Sequence, residues 1–315
     1  MIGRRSSLAK RFRKCEELFA SARDVADSQL AMTAFGVRSA DEKFLKTFNG
    51  EDAPTDLRSV SKVVTALTAG ALFGIQGAFG AEEFQSNSDA GSLLRAAGHS
   101  CDWSGVEIRH LLNNTIGHEN GFFFRKDLQD VPVQEYVNYA VQTPRTQEPG
   151  SHFSYSNVGP FLVSVIVQDL SGRSLESWSQ ELVLGPLGLS PSWKEYAGYT
   201  AGCTGLTMSC DDLLTVGELL LADGLSRQGV QLVAADWVRL MRSPVTVTPS
   251  MYDPNRVFPK FAYGYGLWVC EDGRYYCDGT DGQYLIVVPD SGLVIATTGA
   301  QSDMKPITRC MKPLL

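Results

Sequence analysis

Three short stretches of this chain set together side chains that could move an acyl group. In "RSVSKVVTAL", residues 58 to 67, Ser59 stands three residues before Lys62 at the head of an apolar run with no helix breaker before Gly70. If a helix begins near Ser59, positions 59 and 62 share a face. The helix N-terminus then turns backbone amides and a partial positive charge toward the serine. A hydroxyl so placed could be a nucleophile, with the amine taking its proton and the amides helping to hold an oxyanion. Burial and neighbouring cations lower a lysine's pKa and make it a usable base. A capping serine followed by a snorkelling lysine would give the same two letters.

The second stretch is "EPGSHFSYSNVG", residues 148 to 159, where Tyr155 and Asn157 bracket Ser156 just ahead of an apolar helix. A phenol can share a proton with a serine or lysine, and an asparagine amide can orient both. A hydrophobic loop closed by an Asn N-cap is the plainer alternative. The third is "YYCDGTDGQYLIVVP", residues 275 to 289. A glycine-rich corner on an edge strand lets a substrate approach the backbone, and its amides can point at a developing oxyanion. As a simple hairpin it needs no chemistry at all.

These groups act together only if a scaffold brings residues 59, 155 and 277 to one place. The chain of 315 residues, 43% hydrophobic and 20% charged, can bury a large core. Residues 8 to 28 read as an amphipathic helix, 29 to 37 and 43 to 50 as a hairpin, and 59 to 73 as a buried helix preceded by Thr55 or Asp56 as N-cap. Helices are expected at 105 to 116, 132 to 141, 158 to 172, 210 to 224 and 234 to 242. From residue 264 the character turns to β, with strands at 264 to 270, 274 to 279, 283 to 289 and 292 to 299. Strands, a long helical insertion and strands again predict an α+β fold, an α/β sandwich whose antiparallel sheet is flanked by helices. Residues 1–79 and 256–315 would form its sheet lobe and residues 80–255 a mostly helical lobe of one catalytic unit.

A net charge of −7 argues against nucleic acid or an anionic membrane as partner. The basic cluster at residues 4 to 14 reads as a solvated helix face. Seven cysteines, an odd number without a CxxC, suit reduced thiols in a cytosolic protein. Charges interrupt any signal-peptide core, and no window reaches transmembrane length, so a cytoplasmic location is expected. His99, His110, His118 and His152 do not pair at metal-ligand spacing. With no nucleophile elbow, P-loop or dinucleotide fingerprint either, no metal or cofactor is expected. "GHENGFFF", residues 117 to 124, could line a substrate pocket or form part of an aromatic core.

Taken together and in order, the three stretches resemble the class C β-lactamase and D-Ala-D-Ala carboxypeptidase family, including its esterase members. The likeness rests on "SVSKVVTA" as the S-x-x-K motif and on "VEIRHLLNNTIG", which is similar to the family's helix leading to "LLTMTSG". It continues in "PGSHFSYSNVG" as the Y-x-N motif, "YGYGLW" and "DGQYLIVVP", spanning residues 29 to 300. The resemblance implies Ser59 as acylated nucleophile and Lys62 as helper in proton removal. It implies Tyr155 as partner base and later acid, and Asn157 as holder of Lys62 and of the substrate's acyl amide. It implies an oxyanion hole from the amides of Ser59 and Thr280.

Two positions depart from the pattern. Cys277-Asp278-Gly279 stands where the family has K-T-G or H-x-G, so the usual cation for a substrate carboxylate is gone and a negative charge is added. Ile116 replaces a serine. The expectation is therefore a serine hydrolase cleaving an ester or amide of a small molecule through an acyl-enzyme. An acyltransferase passing the same acyl group to an alcohol or amine, as in secondary-metabolite tailoring, uses identical machinery. A non-catalytic binding protein of the same fold is the third reading.

Overall fold

The computed structural model describes residues 2–24, 30–48, 50–301 and 303–315. Helix α1, Ile2–Asp24, starts earlier than the expected residue 8, and positions 25 to 28 of the expected helix lie outside the described residues. Its Leu8, Phe12, Cys15 and Phe19 recur at helical spacing and are all buried. Strands β1, Met32–Arg38, and β2, Lys43–Thr47, form the expected hairpin. Phe12 stacks on Phe35 of β1 with centroids 5.0 Å apart, which fixes α1 on that face of the sheet.

Helix α2, Ser61–Leu72, is buried on nearly every face, as its unbroken apolar sequence requires. It begins two residues later than expected. Ser59 sits instead in a single 3-10 turn, Arg58–Val60, that leads into it. Of the two expected caps, Asp56 accepts from the Arg58 N–H at 2.8 Å. Gly70 does not break the helix. A Cβ there would lie 1.9 Å from Cδ1 of Trp237, whose indole N–H donates to Ala66 O at 2.9 Å. Alanine is the better helix former by about 1 kcal/mol, yet Gly70→Ala is expected to lower the Tm, overpacking costing about 1–3 kcal/mol or more. Gly74→Ala, whose added carbon would meet Ala71 O at an ordinary 3.8 Å, is the control in the same calorimetric scan.

The helical stretch contributes α3, Val158–Ser171, and α4, Cys210–Leu221. Gly172, at φ 69°, closes α3, and Ser209 with Asp212 forms a capping box at the start of α4. Helix α5, Ala235–Met241, carries Trp237. The other two expected helices shrink to Ile108–Leu112 and Tyr136–Val141, while Ala90–Ala96 and Leu175–Ser179 were not expected. The chain then returns through β3, Thr246–Val247, β4, Ala262–Tyr263, β5, Trp268–Val269, β6, Tyr275–Asp278, β7, Tyr284–Val288, and β8, Leu293–Gly299. Helix α6, Lys305–Met311, follows.

These eight strands join one antiparallel sheet in the order β2-β1-β8-β7-β6-β5-β4-β3. Side chains alternate across it. Phe35, Ile286 and Ile295 face α1 and α6, whereas Ala34, Leu285 and Val294 face the core that holds α2, α3 and α4. Both faces are covered, so the central strands read as continuous apolar runs. The expected lobe boundary needs correcting. Helix α4 packs on β1, β7 and β8, and β3 extends the sheet, although both fall in the stretch assigned to the helical lobe. An apolar face on α4 spaced for one partner cannot tell a sheet from another helix as that partner. All seven cysteines are free thiols. Among the described residues no helix is long and apolar enough to cross a membrane.

Candidate active site

The turn before α2 is held from several sides. Arg58 has a left-handed backbone, φ 52°, a strained conformation for a residue with a side chain. Its guanidinium donates to Asp56 Oδ2 at 2.8 Å and to Asp281 Oδ2 at 2.7 Å. Ser61 Oγ donates to Arg58 O at 2.7 Å and accepts from the Leu206 N–H at 3.1 Å. Ser59 is thereby fixed, half-buried, at the positive end of a buried helix.

One turn on, Lys62 is enclosed, with 1% of its surface exposed. Its Nζ donates to Ser59 Oγ and to the Cys203 carbonyl oxygen, each at 3.0 Å. Thr65, also on α2, donates to Gly202 O at 2.6 Å and so fixes the loop that offers that carbonyl. Burial pulls the Lys62 pKa down from 10.5 to about 8, against the opposing pull of Cys203, Asp278 and Cys277. A lysine that loses its proton near neutrality has a lone pair to take one from Ser59.

Tyr155 reaches the same place from the loop before α3. The backbone on either side of it is zipped to two neighbouring segments. Ser154 N–H donates to Asn114 O at 3.0 Å, and Ser156 N–H to Asn114 Oδ1 at 3.1 Å. Asn157 N–H donates to Phe122 O at 3.1 Å. The Tyr155 ring lies 5.0 Å from Lys62 Nζ and stacks on Trp268, centroids 5.4 Å apart and planes 22° apart. Burial, then the charge of Asp278, holds its phenol well above the usual value, and a hydrogen bond with Ser59 works the other way.

Asn157 is not what holds Lys62. Its Nδ2 donates to Phe123 O at 3.1 Å, and the Cys203 carbonyl takes the lysine contact instead. Among the described residues the buried Oδ1 of Asn157 meets no hydrogen-bond donor. A buried acceptor in that state is well suited to an N–H brought by a ligand.

The third stretch lies in an interior strand of the sheet, not at its edge. Pairing of β6 with β5 nevertheless stops at Tyr276–Trp268, so from Cys277 onward that side is locally an edge. Gly279 lies against the nucleophile turn: a Cβ on it would fall 2.7 Å from Leu57 O and 3.1 Å from Arg58 Cβ. Thr280, the next residue, is exposed, and Asp281 beyond it receives Arg58. The ion pair from Arg58 to Asp281 thus ties the first stretch to the third. Cys277 is a space-filling core residue, 3% exposed, with its thiol toward Gly266 O at 3.6 Å. Burial raises its pKa, so it stays a thiol.

Asp278 is not alone. Its Oδ1 accepts from the Trp268 indole N–H at 2.9 Å, and its Oδ2 lies 3.4 Å from Lys260 Nζ. Sequence reasoning missed Lys260, which belongs to no motif and precedes a different strand. It also missed the Cys203 carbonyl, since a backbone oxygen has no letter of its own, and the Arg58 clamp.

Other candidates lie elsewhere. His118 is buried against Thr143 Oγ1 at 3.0 Å, and burial, then Arg145, lowers its pKa to about 4. His99 pairs with Asp169. Among the described residues no three His, Cys, Asp or Glu side chains gather as a metal site. The "GFFF" segment divides: Phe123 stacks on Phe161 in the core at 4.7 Å, while Phe122 lines a cavity of about 310 Å³ with Val131 and Tyr139. Ile116 is simply buried.

Comparison with known proteins bears on the family and the fold. A family model described as Beta-lactamase matches residues 20–305. Penicillin-binding protein 4 of Amycolatopsis lactamdurans is 24% identical over 228 residues, 61% of this chain and 58% of that protein. The chain therefore spans little more than half of that relative's length. The octameric penicillin-binding protein homologue from Pyrococcus abyssi superposes with a TM-score of 0.76 at 18% identity, covering 96% of this chain and 76% of that one. EstCE1, described as a hydrolase with promiscuous acyltransferase activity, gives a TM-score of 0.73 at 17% identity over 98% of both chains. At such identities the superpositions speak for the fold alone.

Proposed function

Since this chain belongs to the Beta-lactamase family, we propose that it is a serine hydrolase that cleaves an ester or amide bond of a small molecule through an acyl-enzyme on Ser59. The observation that carries this reading is the enclosed Lys62 amine 3.0 Å from the half-exposed Ser59 hydroxyl. In the neutral state Lys62 takes the hydroxyl proton as Oγ attacks the substrate carbonyl carbon. The amides of Ser59 and Thr280 receive the negative charge that forms on the carbonyl oxygen. Tyr155 gives its phenolic proton to the leaving group, and the ammonium of Lys62 returns one to Tyr155. Water then attacks the acyl-enzyme with the same groups acting in reverse. Asn157 Oδ1 accepts an N–H of the bound acyl group. Cys277 and Asp278 give no cation to a substrate carboxylate, which favours a neutral ester or amide over a β-lactam acid.

Intact-mass analysis after a fluorophosphonate tests the proposal. One adduct is expected on the wild type, mapped to Ser59 and missing from Ser59→Ala. An unmodified wild type, or an undiminished adduct in Ser59→Ala, overturns it. Transfer to an alcohol or amine is the second reading, supported by the description of EstCE1. Product analysis with added acceptors separates the two, since transfer must outrun hydrolysis for that reading to stand.

A further inference from the structure

Lys260 and Asp278 have no part in the steps above, yet Lys260 is buried and Asp278 half-buried beside them. Lys260 Nζ lies 3.9 Å from the centre of the Trp268 ring as well as 3.4 Å from Asp278 Oδ2. Trp268 in turn donates its N–H to Asp278 Oδ1 and carries Tyr155 on its ring. The stack of Tyr155 on Trp268 thus has one lysine at each end, Lys62 and Lys260, and a carboxylate pinned beside it. A largely enclosed carboxylate calls for a compensating charge, and Lys260 supplies it from outside the motif that lost its own.

The surroundings are crowded with other ionisable groups. Lys62 is faced by Ser59 from its own turn, Tyr155 from the loop before α3, the Cys203 loop, and Cys277 and Asp278 from β6. Asp278 is felt by Tyr155, Tyr263 of β4, Tyr276 of β6 and Tyr284 of β7, and Arg256 acts on Lys260. In that setting one added or removed unit of charge at position 260 or 278 changes the field at both proton-carrying groups.

We propose that Lys260 and Asp278 are a positioning pair for acyl transfer: they hold Tyr155 in place through Trp268 and set the field under which Lys62 acts as base and Tyr155 as proton donor. This assignment of roles rests on the acyl-enzyme reading. Its electrostatic sense is simple. A negative charge at Asp278 disfavours phenolate at Tyr155 and favours ammonium at Lys62, while Lys260 limits the second effect. At Tyr155 the charge of Asp278 adds to burial in holding the phenol protonated, whereas at Lys62 it works against the burial that eases the amine toward neutrality.

The test is the pH dependence of fluorophosphonate inactivation, read beside a 13Cε-lysine NMR titration of Lys62. Asp278→Asn removes negative charge, so the acid limb and the Lys62 midpoint move to lower pH. Lys260→Met leaves Asp278 uncompensated, so both move to higher pH. Each shift should be on the order of half to one pH unit. Lys260→Arg should restore the wild-type midpoint, and the Lys260→Met/Asp278→Asn double variant should return toward it. Midpoints that stay put, or that move the same way in both single variants, overturn the proposal. Should Lys260→Met fail to fold, Asp278→Asn and Lys260→Arg still decide it. A wild type that never forms the adduct removes the acyl-enzyme reading, whereas the NMR midpoints still report on the pair.

Discussion

Lys62→Met is expected to slow acylation of Ser59 by about 10²–10⁴-fold, the usual worth of a positioned general base, while raising the Tm. The two effects have one source. Lys62 is almost wholly enclosed, and its pKa of about 8 lies well below the ordinary lysine value of 10.5. Between those values the unfolded chain binds the proton that the folded chain has given up. The group's contribution to folding therefore becomes more favourable as pH rises from about 8 toward 10.5, and it is least favourable below about 8. At pH 7 the penalty is roughly 3 kcal/mol at 1.36 kcal/mol per unit. Methionine fills similar space without a charge and removes that penalty. Wild-type acylation should climb with pH through about 8 and then level off, as the neutral amine becomes the dominant form. Stopped-flow acylation by a reactive ester across pH, with calorimetry on both proteins, checks both halves. A variant that is slower and also less stable would show that Lys62 is a structural tether.

Gly279→Ala is expected to cost about 10²–10³ in acylation rate, comparable to the loss of one oxyanion donor. Its added carbon would fall 2.4 Å from Gln283 Oε1 and 2.7 Å from Leu57 O. The first is the end of a buried side chain whose amide accepts from the Asp281 N–H and donates to Gly299 O. The second is backbone of the nucleophile turn and can be relieved only by moving β6 away from Ser59. Displacing Thr280 by up to an ångström from its station is enough for a loss of this order. Single-turnover kinetics should show a lower acylation rate constant with little change in substrate binding. An unchanged rate constant would mean that Thr280 does not serve the oxyanion.

What could be read from the letters was whatever depends on near neighbours. Ser59 and Lys62 are one turn apart, so their meeting needs no knowledge of the rest of the chain. The apolar runs of β7 and β8 likewise declare themselves locally. The start of α2 was misplaced because Asp56 and Ser61 favour a 3-10 turn that only their hydrogen bonds reveal. Gly70, a helix breaker by type inside the expected helix, is a seat for Trp237, a residue far along the chain. The apparent loss of charge compensation at Cys277-Asp278-Gly279 had the same cause. Lys260 reaches Asp278 only because β4 and β5 bring it there, and no spacing rule connects the two.

The enclosure of Lys62 also restricts what can end the reaction. On the proposed acyl-enzyme mechanism, a proton taken from Ser59 would pass among Lys62, Tyr155 and the leaving group without drawing on the bulk solvent. The cycle closes only if the group that resolves the acyl-enzyme brings a proton of its own to replace the one given away. Water, alcohols and amines all qualify, whereas a carboxylate or another anion would leave the buried site with the wrong count of charge. On that mechanism the site would select its acceptor by protonation state before shape has any say, and competition between hydrolysis and transfer would become a question of which neutral molecule lies beside Ser59.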